Sequence, residues 1–165
     1  MKETYLHLPG LSVPRAAESP EPVTPCRIFL VEDDLDEGVL NKKRLEASSS
    51  VREVLVFANG DELIRYMKEQ GFQDRSVMCM TPTMIIVDLN MPKMNGFDIL
   101  QELKSDPFLQ DIPVVVISGD PSYANIKRAH ALRADAFFSK PLNVYNIQSF
   151  FSKAWQWPKN EMWMS

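Results

Sequence analysis

Five polar residues of this chain stand where an apolar run stops. Glu32 and Asp33 follow the run RIFLV at 27–31, and Asp88 follows MIIV at 84–87. Ser118 follows the run 112–117, and Lys140 follows 136–139. Together they offer three carboxylates, a hydroxyl and an ammonium. Carboxylates gathered away from water repel one another, and desolvation raises their pKa values. A hard cation relieves that repulsion, and Mg²⁺ takes one or two carboxylates with waters and phosphate oxygens. A carboxylate such as Asp88 can attack phosphorus and form an acyl phosphate. Phosphoryl transfer mainly needs positioning and positive charge on the equatorial oxygens. Mg²⁺ and Lys140 would bring the charge, and Ser118 a hydrogen bond.

For these residues to meet, the apolar runs must be strands that end along one edge of a sheet. The pattern between them supports this. Residues 35–47 carry Leu35, Val39, Leu40 and Leu45 and read as a helix, and Val51–Phe57 is rich in β-branched residues and reads as a strand. Asn59 with Glu62 forms a capping box for a helix holding Leu63, Ile64 and Met67, which Gly71 ends. Residues 72–82 read as irregular. Helices are predicted over 95–105, 121–133 and 143–156, with strands at 84–87, 112–117 and 136–139. Strand and helix alternate five times, which predicts an α/β fold with a parallel sheet. Continuous apolar strands suit a sheet covered on both faces. Ligands of such sheets bind at the carboxyl ends of the strands, where all five polar residues are expected.

Composition narrows the alternatives. With a formal net charge of −4, nothing favours nucleic acid or an anionic membrane surface as partner. The two cysteines, Cys26 and Cys79, cannot build a disulfide framework and read as reduced thiols. No run reaches the length of a membrane span, and the N-terminus makes a poor signal peptide, so a cytoplasmic location is expected. Residues 1–25 hold five of the twelve prolines and read as an extended or disordered arm. The domain is placed at 26–156, and 157–165 form a short tail containing Trp157 and Trp163.

Four segments make the chemistry specific: VEDD at 31–34, IIVDLNMPKMNG at 85–96, VVVISGD at 114–120 and FFSKP at 137–141. In this order, each at a strand end, they resemble the conserved blocks of the response-regulator receiver family. The intervals of 30 residues from Asp88 to Ser118 and 22 from Ser118 to Lys140 agree with that family. The resemblance covers roughly residues 26–155. It implies a doubly wound five-stranded sheet of CheY-like, flavodoxin-like order 2-1-3-4-5 with helices on both faces.

The resemblance also implies roles. Asp88 is the phosphoacceptor and, with Asp33 and the backbone carbonyl of Asn90, a Mg²⁺ ligand; Glu32 acts through water. Ser118 is the hydroxyl switch residue, Lys140 pairs with the phosphate, and Phe137 is the aromatic rotamer switch. Asn90 and Asp120 tune how water reaches the phosphoryl group, and the Lys140–Pro141 bond is cis. The implied partners are a sensor histidine kinase or phosphotransfer protein and a downstream protein target, in a stand-alone protein without an output domain that is no conventional turnover enzyme. Two departures stand out. Ser118 replaces the frequent threonine, and Phe137 lacks a tyrosine hydroxyl. The interval from Asp33 to Asp88 is also longer than usual, and the extra length is placed in 71–82.

Plainer readings suit several of these features. Asp34, Asp36 and Glu37 read as first-turn acids that complement a helix dipole. His130 sits on a helix away from the strand ends and is rejected as a base. An Asp-nucleophile phosphatase needs a second acid two residues after the nucleophile, where this chain has Asn90. A dinucleotide-binding fold lacks its GxGxxG after the first strand. The remaining rival is a receiver-shaped interaction module that works without phosphorylation. Trp157 and Trp163, beyond the last helix, suggest partner binding or self-association through that helix and the tail.

Overall fold

The computed structural model describes residues 25–92 and 95–154. Among them are five strands: β1 (Cys26–Val31), β2 (Val51–Phe57), β3 (Thr83–Asp88), β4 (Val114–Ser118) and β5 (Ala136–Ser139). They pair in parallel as one sheet of order β2-β1-β3-β4-β5. This is the doubly wound order, with its switch point between β1 and β3. The helices are α1 (Leu35–Glu46), α2 (Gly60–Glu69), α3 (Arg75–Met80), α4 (Gly96–Ser105), α5 (Tyr123–Ala131) and α6 (Val144–Ala154).

The two-residue period of the strands divides the core between the faces. Phe29, Val31, Ile85, Val87, Val114 and Val116 point to one face and pack with Leu63, Met67, Leu100 and Leu103 of α2 and α4. Ile28, Leu30, Met84, Ile86, Val115 and Ile117 point to the other, against Leu45 of α1 and Ile147 and Phe151 of α6. Every residue of β3 and β4 is buried, whereas the edge strands β2 and β5 are only partly covered. Full burial of a Leu, Ile, Val or Phe side chain is worth about 1.5–3 kcal/mol. The continuous apolar runs are therefore what makes the central strands central.

Side chains start the helices. Asp34 caps α1 by accepting from the Glu37 amide, and Asn59 caps α2 through the Glu62 amide. Glu62 reaches back to the Ala58 amide at 3.1 Å, one residue before the cap, so the expected box closes one position earlier. Gly71 follows α2 with φ of 78°, the left-handed conformation that ends a helix without a Cβ clash.

Two expectations are corrected. The stretch read as irregular contains α3, which Asp74 caps at its first turn, and Phe72 ahead of it is buried against Phe29. A helix of six residues is too short to show a period in sequence. Strand β4 begins at Val114 rather than Ile112, because Pro113 has no amide to donate to a neighbouring strand. The N-terminal arm through residue 24 and the three tryptophans lie outside the described residues.

Candidate functional site at the carboxyl edge of the sheet

The switch in strand order opens the carboxyl edge, and four strand ends deliver residues to it. Asp88 is the last residue of β3 and is buried. Its Oδ1 accepts the Asn90 amide at 2.9 Å, so the turn after the strand holds the carboxylate in one orientation. Its Oδ2 accepts from the Lys140 ammonium at 2.7 Å. Glycine is required close by. A Cβ on Gly96 would lie 2.4 Å from the Asp88 carbonyl oxygen and 2.8 Å from the Leu89 Cα. The first turn of α4 thus packs directly on the backbone of Asp88.

Glu32 follows β1 and is 1% exposed. Its Oε1 accepts the Asp34 amide at 3.1 Å, and its Oε2 lies 3.4 Å from the Lys140 ammonium. Burial pushes the Glu32 carboxyl up to about 7. The Asp34 N–H bond and Lys140 pull it down, while the Asp88 and Glu37 charges raise it further. Carboxylate oxygens of Glu32, Asp33 and Asp88 all lie within 4.8 Å of one another. Three acids this close, two of them buried and Glu32 reluctant to ionise, fit a hard divalent cation that takes oxygen ligands.

Lys140 reaches this group from just beyond β5. Burial disfavours its charge, but bonds to Asp88 and Glu37 and the fields of Asp88 and Glu32 outweigh that and hold the ammonium above its usual pKa. The Lys140 amide donates to the Ser118 carbonyl at 2.8 Å, and the Lys140–Pro141 peptide is cis, as expected. Ser118, at the end of β4, is fully buried. Its hydroxyl donates to the Asp120 carbonyl at 3.2 Å and accepts the Asp120 amide at 3.1 Å, so it is engaged with its own loop. Asp120 is exposed, and its carboxylate accepts from the Ser122 amide and the Asn125 side chain at the start of α5. Phe137, in β5, is half-buried against the face that carries α2 and α4.

The structure therefore brings Glu32, Asp33, Asp88 and Lys140 together and sets Ser118 on the neighbouring strand end. Two further residues escaped the sequence reading. Gly96 stood inside a quoted segment with no role given to it; its position directly after the helix cap Asn95 was the signal. Glu37 stands among the first-turn acids expected to complement the helix dipole, yet its Oε1 lies 2.9 Å from the Lys140 ammonium. Asp34 is not in the first turn but caps α1 from the position before it, and His130 is exposed on α5.

Comparison with known proteins agrees with this fold. Residues 28–151 match the family described as the response regulator receiver domain. Response regulator Rcp1 of Synechocystis sp. is 29% identical over 129 residues, covering 78% of this chain and 86% of Rcp1. The crystal structure of the phosphorylated cyanobacterial phytochrome response regulator RcpA superposes with a TM-score of 0.59 at 32% identity, covering 79% of this chain and 89% of RcpA. The Mn²⁺-bound form of Rcp1 does so with a TM-score of 0.57 at 26% identity, covering 79% and 89%.

Proposed function

This chain belongs to the response-regulator receiver family of two-component signalling, and from that membership we propose that it is a phosphoacceptor switch whose acceptor is Asp88. The observation that carries the proposal is the single contact set at Asp88: one oxygen held by the Asn90 amide, the other by Lys140, with two more acids within 4.8 Å. Receivers of this family interact with histidine kinases or phosphotransfer proteins. The donor proposed here is one of these.

In the proposed reaction, a carboxylate oxygen of Asp88 attacks the donor phosphorus, and the donor's leaving group departs with the bonding pair. Asp33, Asp88 and the Asn90 carbonyl would hold Mg²⁺, with Glu32 acting through water. When bound, Mg²⁺ neutralises developing charge on the phosphoryl oxygens. Lys140 adds the second positive charge, already directed at the acceptor carboxylate. Ser118 then exchanges its Asp120 contacts for a phosphoryl oxygen, and Phe137, half-buried at rest, turns inward. This is a population shift biased by new charge contacts. Asn90 and Asp120 are proposed to tune hydrolysis of the acyl phosphate, although the bonds to Ser122 and Asn125 also give Asp120 a structural task.

The product is a signalling state read by a downstream protein target rather than a released compound. The proposed protein is a cytoplasmic receiver with its domain at 26–156, and self-association through α6 and the tail belongs to the same proposal. Among the described residues no helix is long and apolar enough to cross a membrane.

Intact-protein mass after incubation with Mg²⁺ and a small acyl phosphate tests the reading. One phosphoryl adduct is expected on the wild type, and none on Asp88→Asn or without Mg²⁺. An adduct that survives Asp88→Asn removes Asp88 from its role. No adduct with small donors or kinases favours a module that works without phosphorylation.

A further inference from the structure

We propose that Glu37 positions Lys140 for phosphoryl transfer, tethering its ammonium beside Asp88 on the acidic half of the site. The proposal rests on the reading of Asp88 as acceptor. Lys140 starts at the end of β5, an edge strand, and β4 and β3 separate it from β1. Its flexible four-carbon stem must pass the end of β4 to reach Asp88, and that of β3 as well to reach Glu32. Such a side chain keeps one geometry only where its head is held.

Three carboxylates hold the head, and they are not equivalent. Asp88 is the acceptor itself, at 2.7 Å. Glu32, at 3.4 Å, is the longest contact, and its other oxygen is already bonded to the Asp34 amide. Both Asp88 and Glu32 belong to the group of acids that can hold a cation, and Glu37 does not. A cation drawing on Asp88 and Glu32 competes with Lys140 for both. Glu37 is then the carboxylate left to the ammonium, and its negative charge also offsets the repulsion between the two positive centres. The backbone from which it projects is held, because the Glu37 amide donates to Asp34 Oδ1 at 3.0 Å in the cap of α1.

Glu37→Gln keeps the shape and removes the charge. At saturating Mg²⁺, its rate of phosphorylation by a small acyl phosphate is expected to fall about three- to fivefold, the scale of one partly exposed ion pair. Asp36→Asn removes a neighbouring charge from the same helix turn and is expected to keep the wild-type rate. In a Lys140→Met background, Glu37→Gln is expected to have no further effect. The metal-free protein gives a readout independent of turnover: the Lys140 ammonium should show an exchange-protected ¹⁵N–¹H NMR signal in the wild type that broadens in Glu37→Gln.

A wild-type rate in Glu37→Gln overturns the proposal while leaving Asp88 as acceptor. So does a loss that persists in full without Lys140, since that is a general field effect. A loss matched by Asp36→Asn likewise overturns it. A wild type that takes no phosphoryl group overturns the acceptor reading and this proposal with it.

Discussion

The sheet carries a lysine–aspartate pair at each of its two edges, both at 2.7 Å, and the two are built differently. At the amino edge, Lys104 of α4 donates to Asp135, just ahead of β5, and to the carbonyls of Gln110 and Ile112. Asp135 also accepts the Val114 amide at 2.8 Å. One ammonium meets one carboxylate, all three of its protons are used by the protein, and the pair ties α4, β4 and β5 together. At the carboxyl edge, three carboxylates crowd one ammonium, with Asp33 alongside. The first pair is closed. The second carries surplus negative charge around a buried acid, which is a standing invitation to a cation. Equal distances therefore conceal opposite tasks, and what separates them is the balance of partners.

The comparison can be broken from either edge. Lys104→Met should cost about 1.5–3 kcal/mol, the range for hydrogen bonds to charged groups. A urea titration reads this as a lowered midpoint, and the folded fraction should still accept phosphoryl groups on Asp88. An unchanged midpoint would mean that the amino-edge pair is not the structural one.

The carboxyl edge should show its surplus as a pH dependence. Glu32 titrates at about 7 in the folded protein against an ordinary 4.5. The folded state thus binds this proton more tightly than the unfolded chain does. In metal-free protein, stability contributed by this group is fully present below about pH 4.5 and is lost as pH rises through 7. Glu32→Gln should flatten that part of the profile. Mg²⁺ should restore stability on the alkaline side, by about 1.4 kcal/mol at ten times its Kd. A profile that Glu32→Gln leaves unaltered would place the surplus charge elsewhere.

The smallest effect concerns Arg133, whose φ of 63° sets it in the left-handed region just after α5. A non-glycine residue there costs about 1–2 kcal/mol. Its guanidinium returns part of this by donating to the Lys104 carbonyl, a bond worth about 0.5–1.5 kcal/mol. Arg133→Gly should therefore stabilise by less than about 1 kcal/mol in thermal melts, sharpening how far the amino edge is optimised.

The two edges were also unequally legible in the sequence. The carboxyl edge could be read because buried parallel strands are continuous apolar runs, and a polar residue that ends such a run marks the edge. Asp88, Ser118 and Lys140 are all of this kind. Glu37 escaped because any acid in a first helical turn already has a reason to be there, and its contact lies 103 positions away along the chain (140 − 37). The amino edge gave no comparable signal. Lys104 sits in the last turn of a helix, where a lysine is ordinary, and only the fold back of residues 106–113 buries it. Arg133 adopts a conformation usually announced by glycine, and no glycine stands there. Asn41 of α1 gave no signal either: it is buried, and its side-chain nitrogen has no hydrogen-bond partner among the described residues.

Lys140 joins Glu32 across 108 residues of chain and Asp88 across 52. Such distant pairings are the slow part of folding, since local contacts form first. A chain emerging from the ribosome has its acids in hand well before the lysine that balances them. The acidic edge spends that interval uncompensated, and no fragment that stops short of residue 140 can complete it. The balanced edge arrives only with β5, so a partner that needs it meets only chains whose sheet is complete.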